Sequence, residues 1–295
     1  MKKFLAITLA LIMVLGMFAA CSKEEPAAPK GDEKPATTPT EGENNTPTPS
    51  TPDASEPDAS EPDAEKPTIT TVTPGKLTMA TNAYFPPYEY YDGDKIIGID
   101  AEIAAAIAKE LGLELVINDM EFDSIITAVK GGAADFGLAG MTISPDRLEE
   151  VDFSISYASG VQAIIVKEGS AIKSVDDLYA DGANYKVGVQ LGTTGDAYAT
   201  EDFGSDLVTA YSKGNEAVMA LIGGDLDCVI IDNEPAKAFV ANNTGLVILE
   251  TSYADEDYAA CIAKENTALK SAIDDAILKL TEDGTIDAIV DKYIK

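Results

Sequence analysis

The chain has 295 residues and a formal net charge of −30 at pH 7, from 51 acidic and 21 basic residues. This charge argues against a nucleic acid partner, because a phosphate backbone attracts lysine and arginine and repels carboxylates. The sequence contains no histidine, which excludes Ser-His-Asp and Cys-His catalysis and leaves no zinc-binding pattern, so we expect neither a metal nor a cofactor.

Residues 1–21 have the pattern of a signal peptide. Lys2 and Lys3 form a positive start, an apolar run extends from residue 4 to 17, and small residues precede Cys21. A cysteine at this position resembles the lipoprotein signal, in which the cysteine is diacylated and becomes the new N-terminus. We expect lipidation of Cys21. The alternatives are a plain secreted signal and a single membrane anchor, although the run is short for the ~30 Å hydrocarbon core.

Residues 22–75 are rich in proline, threonine, alanine and acids, with a tandem repeat at 53–57 and 58–62. Such a segment has few large apolar side chains and cannot bury enough surface to offset the entropy of ordering. We therefore expect a disordered, extended tether between the membrane and a folded region that begins near Lys76.

The folded region alternates between strand and helix patterns, which is typical of a parallel α/β sheet. In the first half, Asp100 is expected to cap a helix that ends at Leu111, and Asp123 to cap a helix that ends at Lys130. Strands are predicted at residues 76–80, 114–117, around Gly137, 186–190 and 228–231, and a further helix at 215–222.

The two halves share a short repeat. Residues 128–135 and 220–227 both read as the end of a helix, a Gly-Gly pair, two residues, an aspartate and a strand. This pattern suggests two similar lobes, although Gly-Gly is also a common helix stop. Cys228 and Cys261 lie in apolar, strand-like runs, so we expect buried free thiols, with a disulfide as the alternative.

Ligands of open α/β sheets bind beyond the carboxyl ends of the strands. This rule selects residues 81–85, 140–147, 190–195 and 232–234, which would line one cleft if the lobes face each other. The last segment, 267–295, is predicted to form two helices that pack on the first lobe.

Three of these segments carry groups that can bind an amino acid at both ends. Arg147 follows Ser144 and Pro145 in the first turn of a helix, and Thr142, the Gly140 backbone and Thr194 would complete a carboxylate pocket. Asp232 could accept from an α-ammonium group. The alternatives are a surface salt bridge from Arg147 to Glu149 or Glu150, plain turns at Thr142 and Thr194, and a helix cap at Asp232.

The remaining candidates would surround the ligand side chain. Phe85 and Phe122 are predicted in loops, where they could sandwich an aliphatic or planar group, or serve as ordinary core aromatics. Asn82 and Gln190 would reach the distal end of the side chain. Tyr84, Tyr88 and Glu89 are weaker candidates.

From about Lys76 to the C-terminus the chain resembles the family 3 extracellular solute-binding proteins, which serve ABC importers of polar amino acids. The resemblance is carried by residues 81–89, 98–100, 120–123, 139–147, 151–154, 192–194 and 231–232. It implies a two-lobed, type II periplasmic-binding-protein fold of the α/β class, each lobe a mixed sheet flanked by helices. Lobe 1 would comprise residues 76–161 and 254–295, and lobe 2 residues 162–253, with hinge strands near 157–161 and 254–258.

The resemblance also implies a function. The arginine matching Arg147 holds the ligand carboxylate, the acid matching Asp232 holds the ammonium, and the aromatics matching Phe85 and Phe122 flank the side chain. Relatives that bind histidine, lysine or glutamine commonly have an aspartate where this chain has Asn82, so we expect a polar neutral amino acid first and a basic one second. The protein would be a monomer outside the cytoplasmic membrane, working with an ABC permease and its ATPase.

Two other functions are compatible with the same fold. Cyclohexadienyl dehydratases look similar, and Glu89 or Asp232 could act as the general acid that such chemistry needs. A sensor subunit for a separate receptor is the second. We expect binding rather than catalysis, because Arg147 and Asp232 form an intact amino-acid clamp.

Overall fold

The computed structural model describes residues 68–294. The signal peptide, Cys21 and the tether through residue 67 lie outside the described residues. Ile69 and Val72, at the end of the predicted tether, already contact the folded part: Ile69 packs against the core, and the Val72 N–H donates to the Asp135 carboxylate at 2.6 Å. Within residues 68–294, none of the helices combines the length and the apolar composition that crossing a membrane requires.

The described region contains fourteen strands, eight α-helices and two 3-10 turns. The strands are β1 (Lys76–Thr81), β2 (Tyr84–Phe85), β3 (Glu89–Asp92), β4 (Lys95–Ile97), β5 (Glu114–Asp119), β6 (Phe136–Gly137), β7 (Asp152–Phe153), β8 (Ala158–Lys167), β9 (Val187–Gln190), β10 (Val208–Tyr211), β11 (Cys228–Asp232), β12 (Leu246–Ile248), β13 (Ala254–Tyr258) and β14 (Cys261–Ile262). The helices are α1 (Ile99–Glu110), α2 (Ile125–Lys130), α3 (Pro145–Glu150), α4 (Thr194–Phe203), α5 (Gly214–Gly223), α6 (Asn233–Asn242), α7 (Thr267–Glu282) and α8 (Thr285–Tyr293), and the 3-10 turns are Phe122–Ser124 and Val175–Tyr179.

The first sheet has the order β5-β1-β6-β14-β7. Its centre is parallel, with Met79 of β1 opposite Ile117 of β5 and Phe136 of β6, whereas β14 runs antiparallel to β6 and β7. Helix α1 packs against it through its buried Ile103 and Ile107, and α7 and α8 pack on α1. The two predicted C-terminal helices and their docking on the first lobe are confirmed. A small antiparallel sheet, β2-β3-β4, borders the site.

The second sheet has the order β10-β9-β11-β8-β12, with β13 paired to β8. Strands β9, β10 and β11 are parallel, and β8 is antiparallel to its neighbours. Both sheets are therefore mixed. Strand-helix alternation alone predicted parallel pairing, which holds where a helix connects consecutive strands. The antiparallel pairs arise where the chain passes from one sheet to the other and returns.

Strands β8 and β13 carry the chain between the two sheets. They pair antiparallel from Ala158 opposite Tyr258 to Gln162 opposite Ala254. The predicted α/β fold, with two lobes joined by two strands, is confirmed. The residue boundaries of the lobes and the hinge role of these strands stay predictions.

Two predicted helix caps are wrong. Gly98 is the residue before α1, and Asp100 lies in its first turn with its carboxylate buried. Asp123 lies inside the 3-10 turn, so α2 begins only at Ile125 and Ser124 precedes it without a side-chain cap. In both places the backbone starts the helix independently of the aspartate.

The repeat of the two halves has a structural role at its aspartates. The Asp135 carboxylate accepts from the Thr78 N–H of β1 at 2.7 Å. The Asp227 carboxylate accepts from the Lys186 N–H, next to β9, also at 2.7 Å. Each repeat thus pins the beginning of a parallel strand in its own sheet.

The two cysteines of the folded part belong to different sheets. Cys228 lies in β11 and Cys261 in β14, and both are buried free thiols, as predicted. Burial raises the pKa of each thiol to about 12, so neither forms a thiolate near neutral pH.

Candidate functional site

A cavity lies between the two sheets, at the carboxyl ends of β1, β9 and β11. Its volume is about 10 Å³, which is room for about one water molecule. Its lining contains all nine ligand-binding residues predicted from the sequence. The lining residues are Asn82, Phe85, Glu89, Phe122, Ala139, Gly140, Thr142, Arg147, Gln190, Thr193, Thr194 and Asp232.

Arg147 is positioned by the start of α3. Pro145 is the first helical residue, and the Ser144 hydroxyl accepts from the Arg147 N–H at 3.4 Å. The guanidinium group is buried, and it donates from Nη1 to the Thr142 carbonyl at 2.7 Å and from Nη2 to the Gly192 carbonyl at 3.1 Å. The second bond joins the two lobes.

The alternative of a surface salt bridge at Arg147 does not occur within residues 68–294. Glu150 pairs with Lys130 instead. Burial lowers the pKa of Arg147, and the nearby acids Glu256 and Asp232 oppose that shift. A guanidinium has five N–H donors. Within the part of the chain that the structure describes, two of them donate to carbonyls, which leaves three for a carboxylate.

The second lobe presents a helix start to the same region. Thr193 caps α4 by accepting from the Asp196 N–H at 3.2 Å, and Thr194 is the first helical residue. The first N–H groups of a helix have no partner within the helix and carry partial positive charge. Together with Arg147, this end of α4 makes one side of the cavity suitable for an anion.

Gly140 shapes the cavity in a way that the sequence did not indicate. Its N–H was expected to face the ligand carboxylate, but it donates to Asp100 Oδ2 at 2.7 Å. Its φ of 53° favours glycine, and a Cβ atom there would lie 2.8 Å from Cε1 of Phe85. The residue therefore allows the Phe85 ring to sit against the turn.

Asp232 precedes α6 but its side chain does not cap that helix. Its carboxylate accepts from Gln162 Nε2 at 2.8 Å and from the Tyr258 hydroxyl. The same Gln162 amide donates to the buried Glu256 at 2.8 Å. Burial, and then the proximity of Glu256, raise the pKa of Asp232 well above its ordinary value. A cation beside Asp232 would offset both effects.

Gln162 and Glu256 were missed by the sequence analysis. They occupy β8 and β13, where each is one polar residue in an ordinary strand pattern. Only the pairing of these strands brings them behind Asp232, so no local signal could have identified them.

The two aromatic candidates occupy different walls. Phe85 lies in β2, where its ring stacks on Tyr88 with 5.8 Å between centroids. Phe122 lies in the 3-10 turn, and the Arg147 guanidinium carbon is 5.4 Å from its centroid. Both rings belong to hydrophobic clusters and also face the cavity, so their two predicted roles are compatible.

Asn82 and Gln190 meet across the cavity. Gln190 Nε2 donates to Asn82 Oδ1 at 2.9 Å, and Asn82 Nδ2 donates to the Met120 carbonyl at 2.7 Å. Each amide therefore spends part of its hydrogen-bonding capacity on protein partners.

Glu89 is the lining residue that the sequence analysis undervalued. Its side chain is fully buried, and neither carboxyl oxygen has a hydrogen-bond partner apart from the adjacent Asp100 carboxyl group. Burial raises the pKa of Glu89 well above its ordinary value. A charged residue between Tyr88 and Tyr90 in a strand-like run was the available sign that this position is unusual.

Comparison with known proteins supports the sequence resemblance. Residues 77–295 match the family model described as bacterial extracellular solute-binding proteins, family 3. The arginine-binding extracellular protein ArtP of Bacillus subtilis (strain 168) is 31% identical over 227 residues, which cover 74% of this chain and 86% of ArtP.

Two solved structures are similar in fold and sequence. An ancestral arginine-binding protein bound to glutamine superposes with a TM-score of 0.70 at 37% identity, covering 75% of this chain and 99% of the other. An ancestral arginine-binding protein bound to arginine gives a TM-score of 0.69 at 38% identity, with the same coverage.

Proposed function

This chain belongs to the bacterial extracellular solute-binding proteins of family 3, and we propose that it captures a free polar L-amino acid and delivers it to an ABC permease. Membership places the protein outside the cytoplasm. Delivery, the ligand class and the roles of individual residues are parts of the proposal. The chain would bind its ligand without transforming it.

One observation carries the proposal: a buried arginine and a buried aspartate line the same cavity from different lobes. Arg147 has N–H donors available for a carboxylate. Burial raises the pKa of Asp232, and a neighbouring cation would lower it again. An α-amino acid carries a carboxylate and an ammonium on one carbon. It would neutralise both groups at once, which makes the cavity complementary to a zwitterion.

The same arrangement supports a closing motion. Arg147 and Thr142 belong to the first lobe, whereas Thr194 and Asp232 belong to the second. A ligand held by Arg147 in an open state would gain the contacts to Thr194 and Asp232 only on closure. Those contacts supply the differential affinity that shifts the population to the closed form.

The ligand side chain would extend between Phe85 and Phe122 toward Asn82, Glu89 and Gln190. From the sequence, the two amides favour a neutral polar group. The buried Glu89 adds a carboxyl group that can accept from a guanidinium or an ammonium. We therefore propose basic amino acids as ligands on the same footing as neutral polar ones. Relatives named for arginine and glutamine binding make L-arginine and L-glutamine the first ligands to test.

The proposed partners follow from the family. A lipid on Cys21 would hold the protein at the outer face of the cytoplasmic membrane, and residues 22–67 would form the tether that lets the folded part extend from it. The closed form would dock on a permease driven by a cytoplasmic ATPase. We propose a monomer, because one chain supplies both ends of the clamp.

Isothermal titration calorimetry tests the function. The full chain, purified in detergent, is unfolded in guanidinium, dialysed to remove carried-over ligand, refolded and titrated with each of the twenty L-amino acids. We expect saturable binding of at least one polar amino acid and none of its D-enantiomer. Failure of all twenty to bind a refolded protein with native circular dichroism would overturn the proposal.

A further inference from the structure

We propose that Glu89 and Asp100 share one proton beside the cavity, and that a ligand with a cationic side chain expels this proton while a neutral ligand leaves it in place. One site would thereby accept both kinds of polar amino acid. The inference rests on the proposed function, and it adds a residue pair that sets specificity.

The geometry of the two carboxyl groups is unusual. Glu89 in β3 and Asp100 in α1 are both fully buried. The two segments are in contact, because the Asp100 N–H donates to the carbonyl of Tyr88, the residue before Glu89, at 2.9 Å, and Asp100 is the acid that most raises the pKa of Glu89 after burial. Asp100 Oδ2 accepts from the Gly140 N–H at 2.7 Å and from the Tyr157 hydroxyl at 2.8 Å. Asp100 Oδ1 and both oxygens of Glu89 have no donor.

A single proton would give two of these three oxygens a hydrogen bond. If Glu89 is protonated, its O–H can donate to Asp100 Oδ1, which satisfies one oxygen of each residue. The second Glu89 oxygen then remains without a partner, in a residue that lines the cavity. An unsatisfied buried carboxyl oxygen costs free energy, so this oxygen is suited to a ligand donor.

The groups around the pair keep the proton in place. The negative charges of Asp232 and Asp119 raise the pKa of Glu89 further, and the Tyr157 hydroxyl donates to Asp100 at 2.8 Å. The Tyr88 hydroxyl belongs to the same group, and burial and then Asp100 raise its pKa. Within the described residues, neither Glu89 nor Asp100 forms a salt bridge with a lysine or with Arg147. Burial raises the pKa of Asp100 to about 6 despite its two donors, and raises that of Glu89 well above its ordinary value.

In the binding step, the positive group of a cationic ligand replaces the shared proton. With a neutral side chain, the shared proton stays and Glu89 accepts from the ligand through its free oxygen. With a guanidinium or ammonium side chain, the Glu89 O–H bond breaks, its electron pair stays on the carboxylate, and the proton passes to solvent. The ligand cation takes the place of the proton beside the two carboxylates.

Two ligands of nearly equal shape isolate this step. L-arginine and L-citrulline differ mainly in the charge of the terminal group, and both bring the same α-ammonium to Asp232. Any proton released at Asp232 therefore cancels in the comparison. Calorimetry of the full chain in two buffers of different ionisation enthalpy, near the Asp100 pKa of about 6, counts the protons released by each ligand.

We expect arginine to release up to one proton more than citrulline. The ratio of the citrulline Kd to the arginine Kd should rise with pH, by at most about tenfold per unit, until the pair is ionised without ligand. Equal proton release by the two ligands, with a ratio independent of pH, overturns the proposal and leaves the proposed function intact. Binding of citrulline without arginine also overturns it, as does binding of neither, whereas the proposed function falls only if all twenty L-amino acids fail to bind.

A substitution at Glu89, compared with a control substitution at Glu114, tests whether Glu89 holds the proton. Glu89→Gln should abolish the extra proton release of arginine and flatten the pH dependence of the ratio. Glu114→Gln is the matched control, because the Glu114 side chain is 67% exposed and pairs with Lys76 at the start of β5; it should keep the wild-type difference. Extra release that persists in Glu89→Gln contradicts the assignment, and if that variant does not fold, the wild-type ratio decides.

Discussion

Gln190 donates a 2.9 Å hydrogen bond from its side-chain amide to Asn82, and this bond links the two lobes across the cavity. Gln190 ends β9 of the second sheet, and Asn82 directly follows β1 of the first. Both side chains are buried. The bond exists only when the lobes are together, so it contributes to the free energy of closure.

Removing this bond should weaken ligand binding through the closed state. In a double-mutant cycle with Asn82→Ala and Gln190→Ala, we expect a coupling free energy of about 0.5–1.5 kcal/mol in ligand affinity, the usual net value of a hydrogen bond. Calorimetry with the amino acid that binds in the titration against all twenty measures it. Tyr179→Phe, which removes an exposed hydroxyl bond to Asp202, is the control without effect. Additive single effects would contradict a shared closing contact.

Arg147 should be the largest single contributor to affinity. Arg147→Ala removes the buried partner of the ligand carboxylate and is expected to cost at least about 2 kcal/mol, or about 30-fold in Kd. Arg147→Lys keeps a charge but not the bidentate fork, so it should rescue only part of the loss. Lys130→Ala removes an exposed cation paired with Glu150 and should leave Kd unchanged. Unchanged affinity in Arg147→Ala would mean that the carboxylate binds elsewhere.

Gly140 should be intolerant of alanine for two separable reasons. Its φ is 53°, and the added Cβ would lie 2.8 Å from Cε1 of Phe85. Gly112→Ala is a matched control, because that glycine has a φ of 69° and nothing within 4 Å of a Cβ. By chemical denaturation we expect Gly112→Ala to cost about 1 kcal/mol and Gly140→Ala at least about 1 kcal/mol more. Equal losses of stability in the two variants would show that the Phe85 ring moves away from the added methyl group without an energetic cost.

The Glu89 and Asp100 pair should impose a pH dependence on stability. The pKa of Asp100 is raised from 3.8 to about 6 in the folded protein, so the folded state holds a proton that the unfolded chain releases. The associated stability is complete below about pH 4 and is lost as pH rises through about 6. A shift of about 2 units corresponds to about 3 kcal/mol.

Denaturation curves from pH 4 to pH 7 check this dependence. Glu89→Gln removes one of the two titrating groups, so its unfolding free energy should fall less over that interval than that of the wild type. Glu114→Gln should follow the wild type. The same slope for Glu89→Gln and the wild type would rule out a proton held between Glu89 and Asp100.

Cys21 should determine membrane attachment. We expect Cys21→Ser to move the protein from the membrane fraction to the soluble fraction and to abolish labelling by radioactive palmitate. Ser22→Ala, the next residue, is the control that retains both. A Cys21→Ser protein that stays in the membrane and remains labelled would point to another anchor.

Local patterns in the sequence predict the fold class and the polar residues at the two ends of the candidate cavity. Strand ends followed by glycine, threonine, arginine or aspartate are local patterns, and parallel strands bring their carboxyl ends to one edge. That rule predicts Thr142, Arg147, Thr194 and Asp232 along one cleft, and all four line the cavity. Their roles in ligand binding stay predictions. The predicted cap at Asp100 is wrong because its carboxylate accepts from Gly140 and Tyr157, both distant in the chain. The Asp123 carboxylate accepts from the neighbouring Ser124 hydroxyl instead of capping the helix.

The surroundings of those polar residues depend on contacts between distant parts of the chain. The Asp100 bond to Gly140 spans 40 residues, the Gln190 bond to Asn82 spans 108, and the Gln162 bond to Glu256 spans 94. No local pattern encodes such pairs, because they depend on which strands pair and how the lobes close. The same holds for Glu89. Its two buried carboxyl oxygens have no hydrogen-bond donor among residues 68–294, and this depends on how β3 packs against α1 and not on the residues next to Glu89 in the chain.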